Sequence, residues 1–348
     1  MKKSELKKWA REHFMGIENC TMPSFTPDMQ HLDEEAIRHD VRMAIRHGFS
    51  STLCTCEAGL TFEEAKQFVK IVAEEAQGKI HVATTLLFDT LEQNWEMLEW
   101  AEKVGCTHVL FGYPAGRYWK SPEEIYKVSK DMMDSSNLGF VLYPSPHYNF
   151  ERFHNSGFPL DVLFKLAEHP NAIAAKVGEL GLLAECMRHI GDQVLLSCPI
   201  ERFAPFCYLA FKQQWIGAGP YEYLQSPDKP YFVQYFNLLL EDKFEQAMEI
   251  YWHLAPARNI FEASHFQVAM LGTYPWTTYK FIQWCVGGNG GFTRQPNMKP
   301  HQHEMEQIRM AFHFIGIEPA MNDEEFYVGR VRYAKMKQQN AASHGPAS

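Results

Sequence analysis

The chain has 348 residues, 46% hydrophobic and 22% charged, and 42 acidic residues against 33 Lys and Arg leave a formal net charge of −9. That length holds two ordinary domains or one large α/β barrel with an addition, and the composition excludes a collagen-like repeat, a disordered chain and a small disulfide scaffold. The acidic balance argues against a nucleic-acid partner, which would need a basic stripe, and without an apolar run of about 18 residues no membrane partner is expected either.

In chain order, residues 1–15 read as a charged helical arm with no apolar leader core. With eight dilute cysteines, this points to a cytoplasmic protein with reduced thiols. Eight strand-like apolar runs follow, at 17–22, 51–55, 80–85, 108–111, 139–143, 172–176, 194–197 and 215–218. Helical periodicity fills the gaps at 32–47, 61–77, 91–104, 122–133, 159–168, 180–190 and 202–212. Thr61 and Glu64 make a Thr-x-x-Glu capping box, and Ser121 before Pro122 marks another helix start. Strands alternating with helices imply parallel pairing, and eight units are the count of a (β/α)8 TIM barrel, assigned to 16–240. A doubly wound open sheet is the runner-up, but no G-x-G-x-x-G or Walker sequence appears.

Beyond about residue 225 the reading is helical, at 227–240, 242–254, 257–270, 276–286, 300–315 and 323–337. This gives a C-terminal helical domain over 241–340 and a disordered tail over 341–348. Gly287-Gly288-Asn289-Gly290-Gly291 reads as a flexible turn between helices, with an anion cradle as the alternative. Cys54-Thr55-Cys56 and His301-Gln302-His303-Glu304 lack the usual zinc-ligand spacing, so no metal is expected. Arg330, Arg332, Lys335 and Lys337 read as a solvated helix face.

In such a barrel the active site gathers at the C-terminal strand ends. These carry Thr55, Cys56 and Glu57; Thr84 and Thr85; the run Tyr113 to Trp119; Tyr143-Pro144-Ser145-Pro146; Lys176; Ser197-Cys198-Pro199; and Trp215 to Ala218. Lys176 is the sharpest signal. Alternation puts Ala172, Ala174 and Lys176 on one face, so the lysine is expected to point into the barrel. A desolvated lysine suits Schiff-base chemistry, whereas a lysine snorkelling to water from a strand end is the alternative on spacing alone. Tyr143, at the matching end of the preceding strand, is placed to relay protons or simply to pack as an aromatic. Tyr113, Tyr118, Trp119, Tyr148, Phe150 and Trp215 are expected to crowd the mouth, favouring a bulky or aromatic substrate.

Leu142-Tyr143-Pro144-Ser145-Pro146, followed 33 positions after Tyr143 by Lys176, resembles the dihydrodipicolinate synthase/N-acetylneuraminate lyase family of class I aldolases. So do Leu60-Thr61-x-x-Glu64, the approach Leu163-x-x-Leu166-Ala167-x-x-Pro170-Asn171-x-Ile173-x-x-Lys176, and Gly291-x-x-Arg294-x-Pro296. Within the family the chain is most similar in style to the aromatic hydratase-aldolases, on Leu60 to Glu64, Trp215 and Tyr333-Ala334-Lys335. The resemblance implies a barrel with a helical C-terminal domain and a homo-oligomer, tetramer or dimer. It also implies a covalent imine through Lys176 with no cofactor.

The sequence departs from the family's pattern. The Gly-Thr-Thr-Gly-Glu that holds a substrate carboxylate after strand two is replaced by Cys54-Thr55-Cys56-Glu57-Ala58-Gly59. Cys198-Pro199 stands for the strand-seven Gly-Asp, and His147 and Tyr148 stand where the synthases carry an arginine, so dihydrodipicolinate synthesis itself is not expected. Tyr118 or Trp119 falls where the family has its partner-subunit tyrosine.

The expected catalytic residues are therefore Lys176, Tyr143 and Thr55. Glu57, Tyr113, Tyr118, Trp119, His147, Tyr148, Cys198, Trp215 and Gly217 are expected to bind substrate. The expected activity is that of a Schiff-base lyase, a carbon–carbon lyase or hydro-lyase acting on a 2-oxo acid or related small carbonyl compound. A non-catalytic small-molecule-binding protein on the same barrel is the alternative. A hydrolase using Cys56, Cys198 or Glu57 is a more distant reading.

Overall fold

The computed structural model describes residues 2–145, 148–270, 274–294 and 299–343, with the side chains of 264–270 and 343 left out. Helix α1 (Lys3–His13) precedes β1 (Gly16–Thr21), α2 (Glu34–Arg46), β2 (Ser51–Cys54), α3 (Phe62–Ala76) and β3 (His81–Leu86). The alternation continues through α4 (Leu91–Val104), β4 (His108–Phe111), α5 (Pro122–Ser135), β5 (Gly139–Leu142), α6 (Leu160–Ala167) and β6 (Ala172–Lys176). It ends with α7 (Leu180–Ile190), β7 (Leu195–Ser197), α8 (Ala204–Phe211) and β8 (Trp215–Gly219). The expected caps form. Thr61 accepts from the Glu64 amide while Glu64 returns to the Thr61 amide, and Ser121 caps α5.

The strands form one parallel sheet in the order β7-β6-β5-β4-β3-β2-β1-β8, with β1 pairing to β8. This is the nearly closed (β/α)8 barrel. Between β7 and β8 no ladder is present among the described residues. Gln213 bridges that seam instead: its carbonyl oxygen accepts from the Cys198 amide at 2.9 Å and its amide donates to the Cys198 carbonyl at 3.3 Å. Apolar side chains fill the layer between strands and helices. A second cluster, with Leu53, Ala83, Leu110, Val141, Ala174 and Trp215, fills the lumen.

The N-terminal arm closes the floor of that lumen. Leu6, Ala10 and Phe14 join the lumen cluster, and Lys7 donates to the Ala167 carbonyl at the end of α6. A cation there also favours the negative end of the helix dipole.

The alternation expected for β6 holds only for its second half. The β5–β6 register slips between Phe140 and Val141, so Val141 pairs with Ala174 while Phe140 pairs with Ala172. At this bulge Ile173 joins the lumen cluster, against Gly139, where a Cβ would lie 2.6 Å from its Cδ1, and Ala172 packs with the outer layer. Ala174 and Lys176 keep the inward face.

The C-terminal part comprises α9 (Tyr231–Leu240), α10 (Phe244–His253), α11 (Ala255–Met270), α12 (Trp276–Cys285), α13 (Gln302–Phe314), α14 (Asp323–Val328) and α15 (Arg330–Ser343). The single helix expected over 323–337 is broken at Gly329, whose φ of 92° ends α14. Helix α15 then runs into the stretch expected as a disordered tail. The glycine-rich break after α12 is a pinned junction: Asp40 of α2 accepts from the Asn289 amide at 2.6 Å, and Asn289 accepts from the Val331 amide. No helix of the described residues is long and apolar enough to cross a membrane.

Candidate active site

β6 delivers Lys176 to the C-terminal end of the lumen, beside Ser197 of β7, its register partner. The side chain is 8% exposed. Its Nζ donates to the Ala218 carbonyl across the β7–β8 seam at 3.3 Å and lies 5.2 Å from the centroid of the Tyr143 ring. Tyr143 follows β5 directly and is held by its amide donating to the Phe111 carbonyl. Lysine and phenol therefore stand side by side at the mouth.

Tyr274, in the segment before α12, reaches the same place: its hydroxyl hydrogen-bonds with that of Tyr143. The neighbouring phenol and then burial push the Tyr274 hydroxyl well above its ordinary range. Sequence reasoning missed Tyr274, because a Tyr-Pro pair ahead of a helix carries no signal of what it faces. Ser197 and Thr85 were visible only as strand-end hydroxyls. Both are buried; the Thr85 hydroxyl is within hydrogen-bond reach of Glu57 and Cys56, and Ser197 Oγ has no hydrogen-bond partner among the described residues. Cys20 of β1 also faces this chamber, where burial raises its thiol and nearby Lys176 pulls the other way.

Glu57, three residues past β2, is open to water at the mouth yet ringed by protein. Crowding raises its carboxyl above the usual range, while Thr85 and Lys176 favour the ionised form.

Of the other expected site residues, most lie elsewhere. Thr55 is buried and its hydroxyl donates to the Thr21 carbonyl at 3.0 Å, so it is committed to the β1 backbone; Tyr274 supplies the hydroxyl next to Tyr143. Tyr113 is core: its hydroxyl bonds Ser129 Oγ at 2.8 Å, and its ring meets those of Trp119, Tyr148 and Phe150. Trp119 and Phe150 are fully buried in the same cluster, which the Tyr113–Ser129 bond ties to α5. Tyr118 is 75% exposed, covered only by the Arg152 guanidinium 4.4 Å from its centroid.

Trp215 opens β8 rather than closing it, so it sits at the floor, 4.7 Å from the Phe14 ring. Gly217 makes room for it: a Cβ there would lie 2.2 Å from the indole and 2.8 Å from Glu18 Oε1. Cys198 turns to α8, where its thiol hydrogen-bonds with Cys207. Tyr148 is buried with its ring 6.3 Å from that of Tyr143, and its hydroxyl has no partner among the described residues. His147 lies outside the described residues.

A 4-hydroxy-tetrahydrodipicolinate synthase of Methanocaldococcus jannaschii is 26% identical over 233 residues, 65% of this chain and 76% of that protein. Among solved structures, dihydrodipicolinate synthase from Aquifex aeolicus superposes with a TM-score of 0.71 at 17% identity, covering 88% of this chain and 100% of that one. N-acetylneuraminate lyase from Fusobacterium nucleatum does so with a TM-score of 0.69 at 17% identity, covering 86% and 98%. At such identities these two structures share the fold. The sequence model described as the dihydrodipicolinate synthetase family matches residues 13–204, more than half of the chain, which is therefore a member of that family.

Proposed function

We propose that the chain is a class I lyase that forms an imine between Lys176 and a small carbonyl substrate. The observation that carries this reading is the pairing of Lys176 Nζ with the Tyr143 ring at 5.2 Å in the barrel mouth, extended by the Tyr143–Tyr274 hydroxyl pair. Attack by the amine and loss of water leave an iminium that draws electrons from the adjacent bond, so that a C–C bond breaks or a proton departs. Tyr143 moves protons to and from the reacting oxygen, with Tyr274 as its hydrogen-bond partner. The route draws on no metal or organic cofactor.

The buried positions of Tyr113, Trp119, Phe150 and Trp215 remove most of the aromatic rim that favoured a bulky or aromatic substrate, so we do not carry that preference forward. A cytoplasmic homo-oligomer, dimer or tetramer, completes the proposal. Phe206 and Leu209 of α8 are exposed apolar side chains that fit a subunit contact.

The test is reduction with borohydride in the presence of a panel of 2-oxo acids, aldehydes and ketones, read by peptide mass. An adduct on Lys176 that is lost in Lys176→Ala is the expected result. Ligand-induced stabilisation without any adduct, unchanged in Lys176→Ala, would instead favour the non-catalytic binding protein.

A further inference from the structure

Cys198 is the first residue past β7, and Cys207 lies on α8. Both side chains are buried in the apolar layer between strands and helices. There the Cys198 sulfur accepts from the Cys207 thiol and from the Ile200 amide. These two donors hold the Cys198 thiol below its ordinary range against the effect of burial, and the same contact raises Cys207. Burial pushes the thiols of Cys20, Cys54, Cys56, Cys106, Cys186 and Cys285 up instead. A sulfur that accepts two hydrogen bonds, with a second thiol already against it, is the arrangement of an attacking and a resolving cysteine.

The pair sits at the β7–β8 seam. The Cys198 amide and carbonyl are the groups that the Gln213 side chain holds there, and the Pro199 carbonyl accepts from the Tyr221 hydroxyl at 2.8 Å. Ser197, the preceding residue, is the register partner of Lys176, whose Nζ reaches across the same seam to the Ala218 carbonyl. A covalent bond would draw the two sulfurs closer than their hydrogen bond does, and the residue it moves is the one that closes the seam. A small oxidant can enter by local opening of α8, which has eight residues and no side-chain cap at its N-terminus.

We propose that Cys198 and Cys207 are a modification site, joined by a hydroperoxide into a reversible disulfide that slows imine formation at Lys176 by pulling the end of β7 toward α8. The effect on Lys176 rests on the imine reading above; the disulfide does not. The Cys198 thiolate attacks one peroxide oxygen and the O–O bond breaks. With hydrogen peroxide, the departing hydroxide takes the Cys198 proton and leaves as water, and a sulfenic acid stays on Cys198. The Cys207 sulfur then attacks the Cys198 sulfur, the S–O bond breaks, and the second hydroxide leaves as water with the Cys207 proton. Two thiols have lost two hydrogens and two electrons, and the peroxide has been reduced to two waters. A small dithiol reverses the step by exchange.

Cleavage by trypsin after Arg188, Arg202 and Lys212 puts the two cysteines on separate peptides, 189–202 and 203–212, neither with another cysteine. The full chain is treated with hydrogen peroxide, the peroxide is removed, and one portion is blocked at its remaining thiols under denaturing conditions and read by peptide mass. A crosslink between these two peptides is expected, released by dithiothreitol and missing in Cys207→Ser and Cys207→Ala. A second portion is trapped with the panel of carbonyl compounds above, using cyanoborohydride, which spares disulfides. The oxidised chain is expected to label Lys176 at least about fivefold more slowly than the reduced chain, since small displacements of a reacting group cost rate steeply. Dithiothreitol should restore the rate, and peroxide should leave the rate of Cys207→Ser unchanged. Thiols that stay reduced at both positions, a crosslink elsewhere in their place, or a crosslink that leaves the rate as it was overturns this inference and leaves the imine reading standing. No label on Lys176 in either state overturns the imine reading and the control of it, while the crosslink is still read on its own.

Discussion

At the floor of the barrel the Phe14 and Trp215 rings meet with centroids 4.7 Å apart, and beside them Glu18 and His108 bond across the lumen at 2.7 Å, both almost wholly buried. At the mouth of the same lumen, Lys176 has one backbone acceptor and an aromatic face, and the Ser197 and Tyr148 hydroxyls have no partner among the described residues. The floor is plugged by α1 and by large side chains, with Ser51 Oγ and the Trp215 indole nitrogen its unpaired polar atoms among these residues. The mouth is polar and incompletely paired, and Glu57 there meets water. One cylinder of strands thus stores stability at one end and unsatisfied chemistry at the other. Barrel enzymes divide conserved stability and catalysis between their two faces in the same sense.

Substitutions at the two ends should therefore part stability from activity. The largest effect is expected for Lys176→Ala, which should lower turnover of any substrate found by trapping at least about 10³-fold while the thermal midpoint holds. An equal fall in both would break the contrast. Tyr143→Phe should lower kcat by about 10²–10⁴-fold, as loss of a general acid–base group does, with normal folding by circular dichroism.

At the floor the outcome reverses. Trp215→Ala should destabilise by about 3–5 kcal/mol in urea titration by opening a cavity beneath α1, and the folded fraction should still trap ligand at Lys176. His108→Leu strands the Glu18 carboxylate in the lumen and should also cost about 3–5 kcal/mol.

The smallest effect lies at the rim, where Glu64 is held by Arg294. That guanidinium depresses the Glu64 carboxyl to about 2 from its ordinary 4.5. The ionised form is favoured in the fold, so its stability contribution is full above pH 4.5 and is lost as the pH falls toward 2. Glu64→Gln should flatten this acid limb in a pH series of urea midpoints, and an unchanged slope would remove Glu64 from the account.

Much of the barrel was legible because its signals are local. Period-two and period-3.6 patterns and the Thr61 and Ser121 caps act within a few residues, and each strand was found within about two positions of its place. Lys176 and Tyr143 were legible for the same reason: Lys176 ends β6, Tyr143 directly follows β5, and parallel strands put their ends together. The aromatic residues misled because a loop side chain has no period to orient it. Tyr113 and Trp119 went into the core with Ser129 and Phe150, and only the packed loops show this. Trp215 was assigned to the mouth because the whole short run 215–218 was counted as a strand end, although Trp215 opens it.

The alternation of the chain by itself determined the eight-unit barrel, the helical extension and the two strand-end residues on which the proposed imine chemistry depends. Tertiary structure alone decided what surrounds them. The bulge at Ile173, the pairing of β8 with β1 and the space at Gly217 turn Trp215 into a plug. The approach of the segment before α12 brings Tyr274 to Tyr143, and the turn after β2 brings Glu57 into electrostatic reach of Lys176. These are contacts between residues distant along the chain, set by how whole elements pack, and no local pattern of apolar and polar residues encodes them.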